Sequence, residues 1–160
     1  MQNDLAGGNK MNMQFLNSKQ KKEILRELEK EFGVLDIPYI LIESGKEKIR
    51  GFSGNISKDE IIELSKLTNI EVIGLYLIKR EKAGLRLSLD GTQVLKDKIS
   101  KGIIEINDMQ AKEWMQGKDL PISSSGDYKV IKFNSDYLGC GKSTGSAILN
   151  HVPKDRRIKK

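Results

Sequence analysis

The string Gly139-Cys140-Gly141-Lys142-Ser143-Thr144-Gly145 gathers a thiol, an ammonium group, hydroxyls and glycines in one short stretch. A phosphate-cradling loop would need a glycine five positions ahead of its Gly-Lys-Ser triplet, and Asp136 stands there. Such a loop also leads from a strand into a helix, whereas Ser143 to Gly145 reads as a hairpin tip followed by a strand. A dinucleotide fingerprint fails at its third glycine position, which Thr144 fills. The glycines read instead as a tight turn beside close backbone packing. Cys140 is the only cysteine and His151 the only histidine, so no disulfide framework and no structural zinc site can be built. As a nucleophile Cys140 lacks a marked triad, and it reads as a buried small hydrophobe. His151 reads as a hairpin-end residue or a phosphate contact rather than an acid–base catalyst. The carboxylates Asp59 and Glu60 fall at a helix start, where the helix dipole explains them. No catalytic residue, metal ligand or cofactor site is expected, S-adenosylmethionine included.

The chemistry that remains is charge. The net charge is +6, from 28 Lys plus Arg against 22 Asp plus Glu. Residues 11–83 hold 13 basic and 12 acidic residues, while residues 84–160 hold 14 basic and 9 acidic ones. The surplus is densest at the end, in Lys154, Arg156, Arg157, Lys159 and Lys160. A basic half beside a neutral half points to a polyanionic partner, most often nucleic acid.

At 160 residues the chain is long enough to bury a core without staples. Its apolar stretches, such as Ile37 to Ile42, fall far short of the roughly 20 residues a membrane span needs. Residues 1–10 are polar, read as a disordered leader without a signal peptide, and Met11 reads as the true start. A cytoplasmic monomer is expected. Asn17 and Ser18 cap a helix over Lys19 to Phe32, which presents Ile24, Leu25, Leu28 and Phe32 as one stripe and stops at Gly33. Pro38 to Glu43 and Glu47 to Phe52 read as strands. Ser57 and Glu60 form a capping box for a second helix, whose Ile61, Ile62, Leu64 and Leu67 should face the core. Glu71 to Lys79 reads as a strand and Lys79 to Lys82 as a charged connector.

From Gly84 the texture changes. Leu85, Leu87 and Leu89 alternate with Arg86 and Ser88, the period of a half-buried strand. Asp90-Gly91-Thr92 reads as a turn and cap, and Gln93 to Ser100 as a short helix. A strand at Ile103 to Ile106 and an Asp108-capped helix ending near Gly117 follow. After a loop at Ser123 to Asp127 come strands at Tyr128 to Phe133, Leu138 to Lys142 and Ala147 to Asn150. All connections are expected to be antiparallel.

Two of these stretches resemble a known module. Gly84-Leu-Arg-Leu-Ser-Leu-Asp-Gly-Thr-Gln-Val-Leu95 resembles the opening strand, glycine turn and first helix of a PUA domain, the RNA-binding module of pseudouridine synthases and archaeosine transglycosylases. Leu138-Gly-Cys-Gly-Lys142, followed by Leu149-Asn-His-Val-Pro-Lys-Asp-Arg-Arg-Ile158, is similar to the closing strands of the PUA-like domain of RNA cytosine-5 methyltransferases. Residues 11–83 resemble the small αβ domain that precedes PUA modules in archaeal and eukaryotic ribosome-biogenesis proteins. The methyltransferases' large cofactor-binding domain, with its catalytic cysteines, has no counterpart in this sequence.

The resemblance implies an α+β protein: a leader (1–10), a small N-terminal αβ domain (11–83) and a PUA-like β pseudobarrel (84–158), joined near Lys79 to Ala83. It implies a stand-alone binder of structured rRNA or tRNA, without the enzyme. The alternative is a protein adaptor that docks on an RNA-modifying enzyme or ribosomal particle. The contacts it implies are Arg86 on the opening strand, Gly91 at a backbone approach to phosphate, and Lys96, Lys98 and Lys101 on and after the helix. Lys142 on a late strand and Lys154, Arg156 and Arg157 after Pro153 complete the set.

Overall fold

In a computed structural model of the chain, which describes residues 13–159 apart from 69 and 71, Asn17 and Gly33 bracket the first helix as the sequence predicts. The leader expected over residues 1–10, and Met11, lie outside the described residues. Strand β1 (Met13–Phe15) precedes helix α1 (Ser18–Phe32). The Asn17 side chain accepts from the Gln20 amide at 2.9 Å, and the Gln20 side chain accepts in return from the Asn17 amide at 2.9 Å. Two amides the helix cannot use are thereby satisfied. Ile24, Leu28 and Phe32 form its buried stripe.

The hairpin of β2 (Ile40–Ser44) and β3 (Lys48–Phe52) leads to helix α2 (Lys58–Leu67) and then to β4 (Leu75–Glu81) and β5 (Gly84–Leu87). The five strands form one antiparallel sheet in the order β1-β2-β3-β4-β5. Ser57 caps α2 by accepting from the Glu60 amide at 3.2 Å, but no return bond from Glu60 completes the expected box among the described residues. Of the four apolar residues expected to face the core, only Ile61 is fully buried, while Leu64 is 42% and Leu67 85% exposed. Helix α1 covers the Leu41 face of the sheet. Helix α2 approaches the other face, where Lys58 Nζ stands 5.3 Å from the Phe15 ring centre.

The sheet runs through Gly84, and this corrects the expected division into separate units. Glu81 pairs with Gly84 and Ile78 with Leu87, so Lys82 and Ala83 are the tip of a tight hairpin rather than a linker. The run Lys79-Arg80-Glu81 is not a solvated connector because its charges find partners across the strands. Arg80 Nε lies 2.9 Å from Glu43, Lys79 Nζ 3.6 Å from Glu47, and Arg86 Nη2 3.1 Å from Glu81. One core joins both halves: Ile24, Leu28 and Phe32 pack with Leu87, Leu95, Val130 and Cys140.

After β5, Ser88 caps helix α3 (Leu89–Val94), so the expected turn at Asp90 to Thr92 is this helix's first turn. A 3-10 turn at Lys96–Lys98 replaces the rest of the expected helix. A second sheet follows, β6 (Ile103–Glu105), β7 (Tyr128–Phe133), β8 (Asp136–Ser143) and β9 (Ile148–Leu149), in sequential order. Helix α4 (Asp108–Met115) is capped by Asn107, one residue before the expected Asp108. Because α4 and its loop carry the chain back across, β6 and β7 pair in parallel, against the expectation of antiparallel connections throughout. Leu120 exchanges hydrogen bonds of 3.0 and 2.8 Å with Ile148, an antiparallel bridge at the β9 edge of this sheet. Its other side holds a second core around Trp114, Ile131 and Ile148. The α+β class stands.

Candidate nucleic-acid interface

The residues singled out for RNA contact fall into three groups. Arg86 and Gly91 are inside. Arg86 is 9% exposed, with Nε and Nη2 both 3.1 Å from Glu81 Oε1. Gly91 is buried in α3, its amide donates to Ser88 Oγ at 2.8 Å, and a Cβ there would meet the Leu77 carbonyl oxygen at 2.2 Å. The close approach this glycine permits is to strand β4, not to a phosphate, and the role expected of it is corrected accordingly.

The second group lies on the surface but is tied down. Lys98 Nζ donates to both Asp36 oxygens at 2.9 and 3.0 Å. Arg156 Nη1 donates to both Asp90 oxygens at 3.1 Å, beside the start of α3. Arg157 Nε donates to the Val152 carbonyl at 3.0 Å, and the side chain lies over Gly117. The third group, Lys96, Lys101 and Lys154, is exposed, and Lys142 is half-buried on β8.

Lys142 opens onto a feature the sequence reading missed. A cleft of about 560 Å³ separates the β4–β5 hairpin from the start of β7 and from His151. It is lined by Glu47, Lys79, Arg80, Glu81, Lys82, Ala83, Tyr128, Lys142 and His151. Strand register builds one wall, since Tyr128 pairs with Lys142 and Lys142 with Leu149. His151 is held by its neighbour: Asn150 Nδ2 donates to the carbonyls of Trp114 and Lys118 at 2.8 and 3.0 Å. Burial, reinforced by the Arg86 guanidinium, holds the His151 imidazole below its usual pKa, and burial pushes the Tyr128 phenol up. His151 Nε2 is buried and has no hydrogen-bond partner among the described residues. The signal for Lys79, Arg80 and Lys82 was the charge run itself, misread as a linker.

The glycine-rich string resolves into packing. It lies on β8, with no helix behind it. Gly139 adopts φ 84°, a conformation that favours glycine, and this turns Leu138 toward the second core and Cys140 toward the first. A Cβ on Gly141 would strike Ile148 and Trp114. Burial pushes the Cys140 thiol up to about 12, which leaves it protonated and unreactive at neutral pH. Among the described residues no group of acidic, histidine and cysteine side chains is arranged to hold a metal, and no helix is long and apolar enough to cross a membrane.

Residues 101–158 match the family described as the methyltransferase RsmF PUA domain. Over 142 residues, 88% of this chain, the sequence is 32% identical to the ribosomal RNA small subunit methyltransferase F of Aeromonas hydrophila. Over 139 residues it is 24% identical to the protein of the same name from Vibrio cholerae. The chain spans 28% of the length of each of these relatives. Among solved structures, a hypothetical protein from the hyperthermophilic archaeon Pyrococcus horikoshii shares the fold with a TM-score of 0.55 at 13% identity, over 87% of this chain and 93% of that one. The leucine-glycine-X-glycine-lysine stretch of β8 and the basic ending thus sit where the sequence resemblance put them, and the chain carries a PUA-like domain related to the C-terminal domains of RNA cytosine-5 methyltransferases.

Proposed function

We propose that the chain is an RNA-binding module that works in rRNA modification and grips structured RNA through its phosphates. The match of residues 101–158 to a PUA domain family carries this reading. The basic surplus of residues 84–160 supports it, because phosphate neutralisation gives affinity without base readout. Lys96, Lys101, Lys142 and Lys154 are the contacts we assign on the surface. Lys98 and Arg156 join them by exchanging the carboxylates of Asp36 and Asp90 for phosphate. In this reading the chain itself is not catalytic and acts as an accessory factor on rRNA or tRNA.

The adaptor reading has one observation in its favour. Helix α2 carries Leu64 and Leu67 in the open, and Val72 is exposed beyond it.

Binding of the whole chain to structured RNA, followed across a salt series, is the test. The expected result is an affinity that falls linearly on logarithmic axes, with a slope set by the number of phosphates neutralised. Binding that ignores salt, or no binding at low salt, would leave the adaptor reading in its place.

A further inference from the structure

We infer that the cleft between the β4–β5 hairpin and the His151 wall receives a backbone phosphate of the bound RNA, with His151 as its hydrogen-bond partner and Lys82 and Lys142 as its counter-charges. This rests on the RNA-binding reading above and gives it a location.

The argument begins with which charges are already committed. Glu81 is engaged by Arg86 at 3.1 Å and by Lys79 at 3.6 Å, and Glu47 by the same Lys79 at 3.6 Å. Arg80 is taken by Glu43 at 2.9 Å. Lys82 at the hairpin tip and Lys142 on the opposite wall have no ion pair among the described residues. Two ammonium groups therefore face one cavity whose carboxylates, Glu47 and Glu81, are paired with other residues. Its volume of about 560 Å³ is within the range of pockets that hold small ligands.

The imidazole adds a second, independent observation. The buried Nε2 of His151 has no protein partner among the described residues, which leaves a hydrogen-bonding position for a ligand on that wall. With Nε2 protonated, neutral His151 donates to a phosphate oxygen; at lower pH the imidazolium does so with charge assistance. Besides His151, the charged and titratable groups facing the cleft are Glu47, Lys79, Arg80, Glu81, Lys82, Tyr128 and Lys142, with Arg86 behind it. Burial and Arg86 oppose protonation of His151, and an arriving phosphate opposes both. RNA binding is then accompanied by proton uptake, and it strengthens as pH falls through the titration of His151, which begins from below the usual histidine range.

His151 is the only histidine, so its ring protons can be followed by NMR in the whole protein without assignment. Structured RNA should shift the His151 signal and raise its titration midpoint by at least about half a pH unit. Lys82→Ala with Lys142→Ala should weaken RNA binding roughly tenfold at low salt and lower the salt slope by about 2. Lys82→Ala alone, at an exposed hairpin tip, should give about half that slope change, and serves if the double variant fails to fold. RNA that binds with normal salt dependence, yet leaves the His151 signal and the variants' affinity unchanged, would overturn the cleft and spare the RNA-binding reading. No RNA binding at all would remove both. Inorganic phosphate is the second probe. Saturable binding of it that moves His151, with no response to RNA, would make the cleft a site for small phosphates and overturn the assignment to RNA.

Discussion

A glycine that clears a carbonyl and a glycine that clears a phosphate look the same in a sequence. Gly91 was read as the second kind and is the first, because what it approaches is Leu77 on a strand distant in sequence. An added methyl would lie 2.2 Å from that carbonyl oxygen and force α3 away from β4. Gly91→Ala should therefore lower stability by roughly 2–3 kcal/mol, measured by urea unfolding, while the affinity of the folded fraction for RNA stays unchanged. Cys140 was read correctly, as a small buried hydrophobe, since one cysteine without a marked partner leaves little else for it to be. Its thiol should resist alkylation in the native protein and react on unfolding. Its folded pKa is raised, so the unfolded chain ionises first. The stability it supports is full below about pH 9 and falls by up to about 1.4 kcal/mol per pH unit from there toward 12, which alkaline unfolding curves would read.

Helices and strands whose signals are local could be read from the sequence. Asn17, and Ser57 with Glu60 three residues on, announce helix starts, and both residues cap their helices, although the Ser57 box lacks its return bond among the described residues. What could not be read is what lies across from an element. The face of α2 was assigned from periodicity, which orders apolar residues around a helix but does not say how many find cover. Ile61→Ala should cost about 2–4 kcal/mol, whereas Leu64→Lys should change stability by less than about 0.5 kcal/mol in the same denaturation assay. The hairpin at Lys82 was hidden for a related reason. Charges that pair across strands, such as Arg80 with Glu43 and Arg86 with Glu81, resemble a solvated run until the strands are set side by side. The cleft needed the same long-range information, since Lys82, Lys142 and His151 come from three separate stretches.

The whole molecule is organised around a boundary that is not one. The texture does change at Gly84, but the break in composition falls inside a hairpin, and β5 needs β4 on one edge and α1 over its face. Residues 84–160 expressed alone should therefore lose their fold: Leu85, Leu87 and Val130 would be uncovered, and circular dichroism with size-exclusion chromatography should report unfolded or aggregated material. The turn of β8 at Gly139 has a consequence for how the protein comes apart. Successive stretches of β7 and β8 point into opposite cores, Val130 and Cys140 into one, Ile131 and Leu138 into the other. Neither core can melt while those two strands stay in place. The chain's single tryptophan, Trp114, sits in the second core with its ring N–H donated to the Leu138 carbonyl at 2.8 Å. Its fluorescence is thus an intrinsic gauge of one core, and far-UV dichroism follows the helices and strands of both. The two signals should trace one superimposable urea transition, the signature of all-or-none unfolding. A strand shared by two cores binds them into a single cooperative unit.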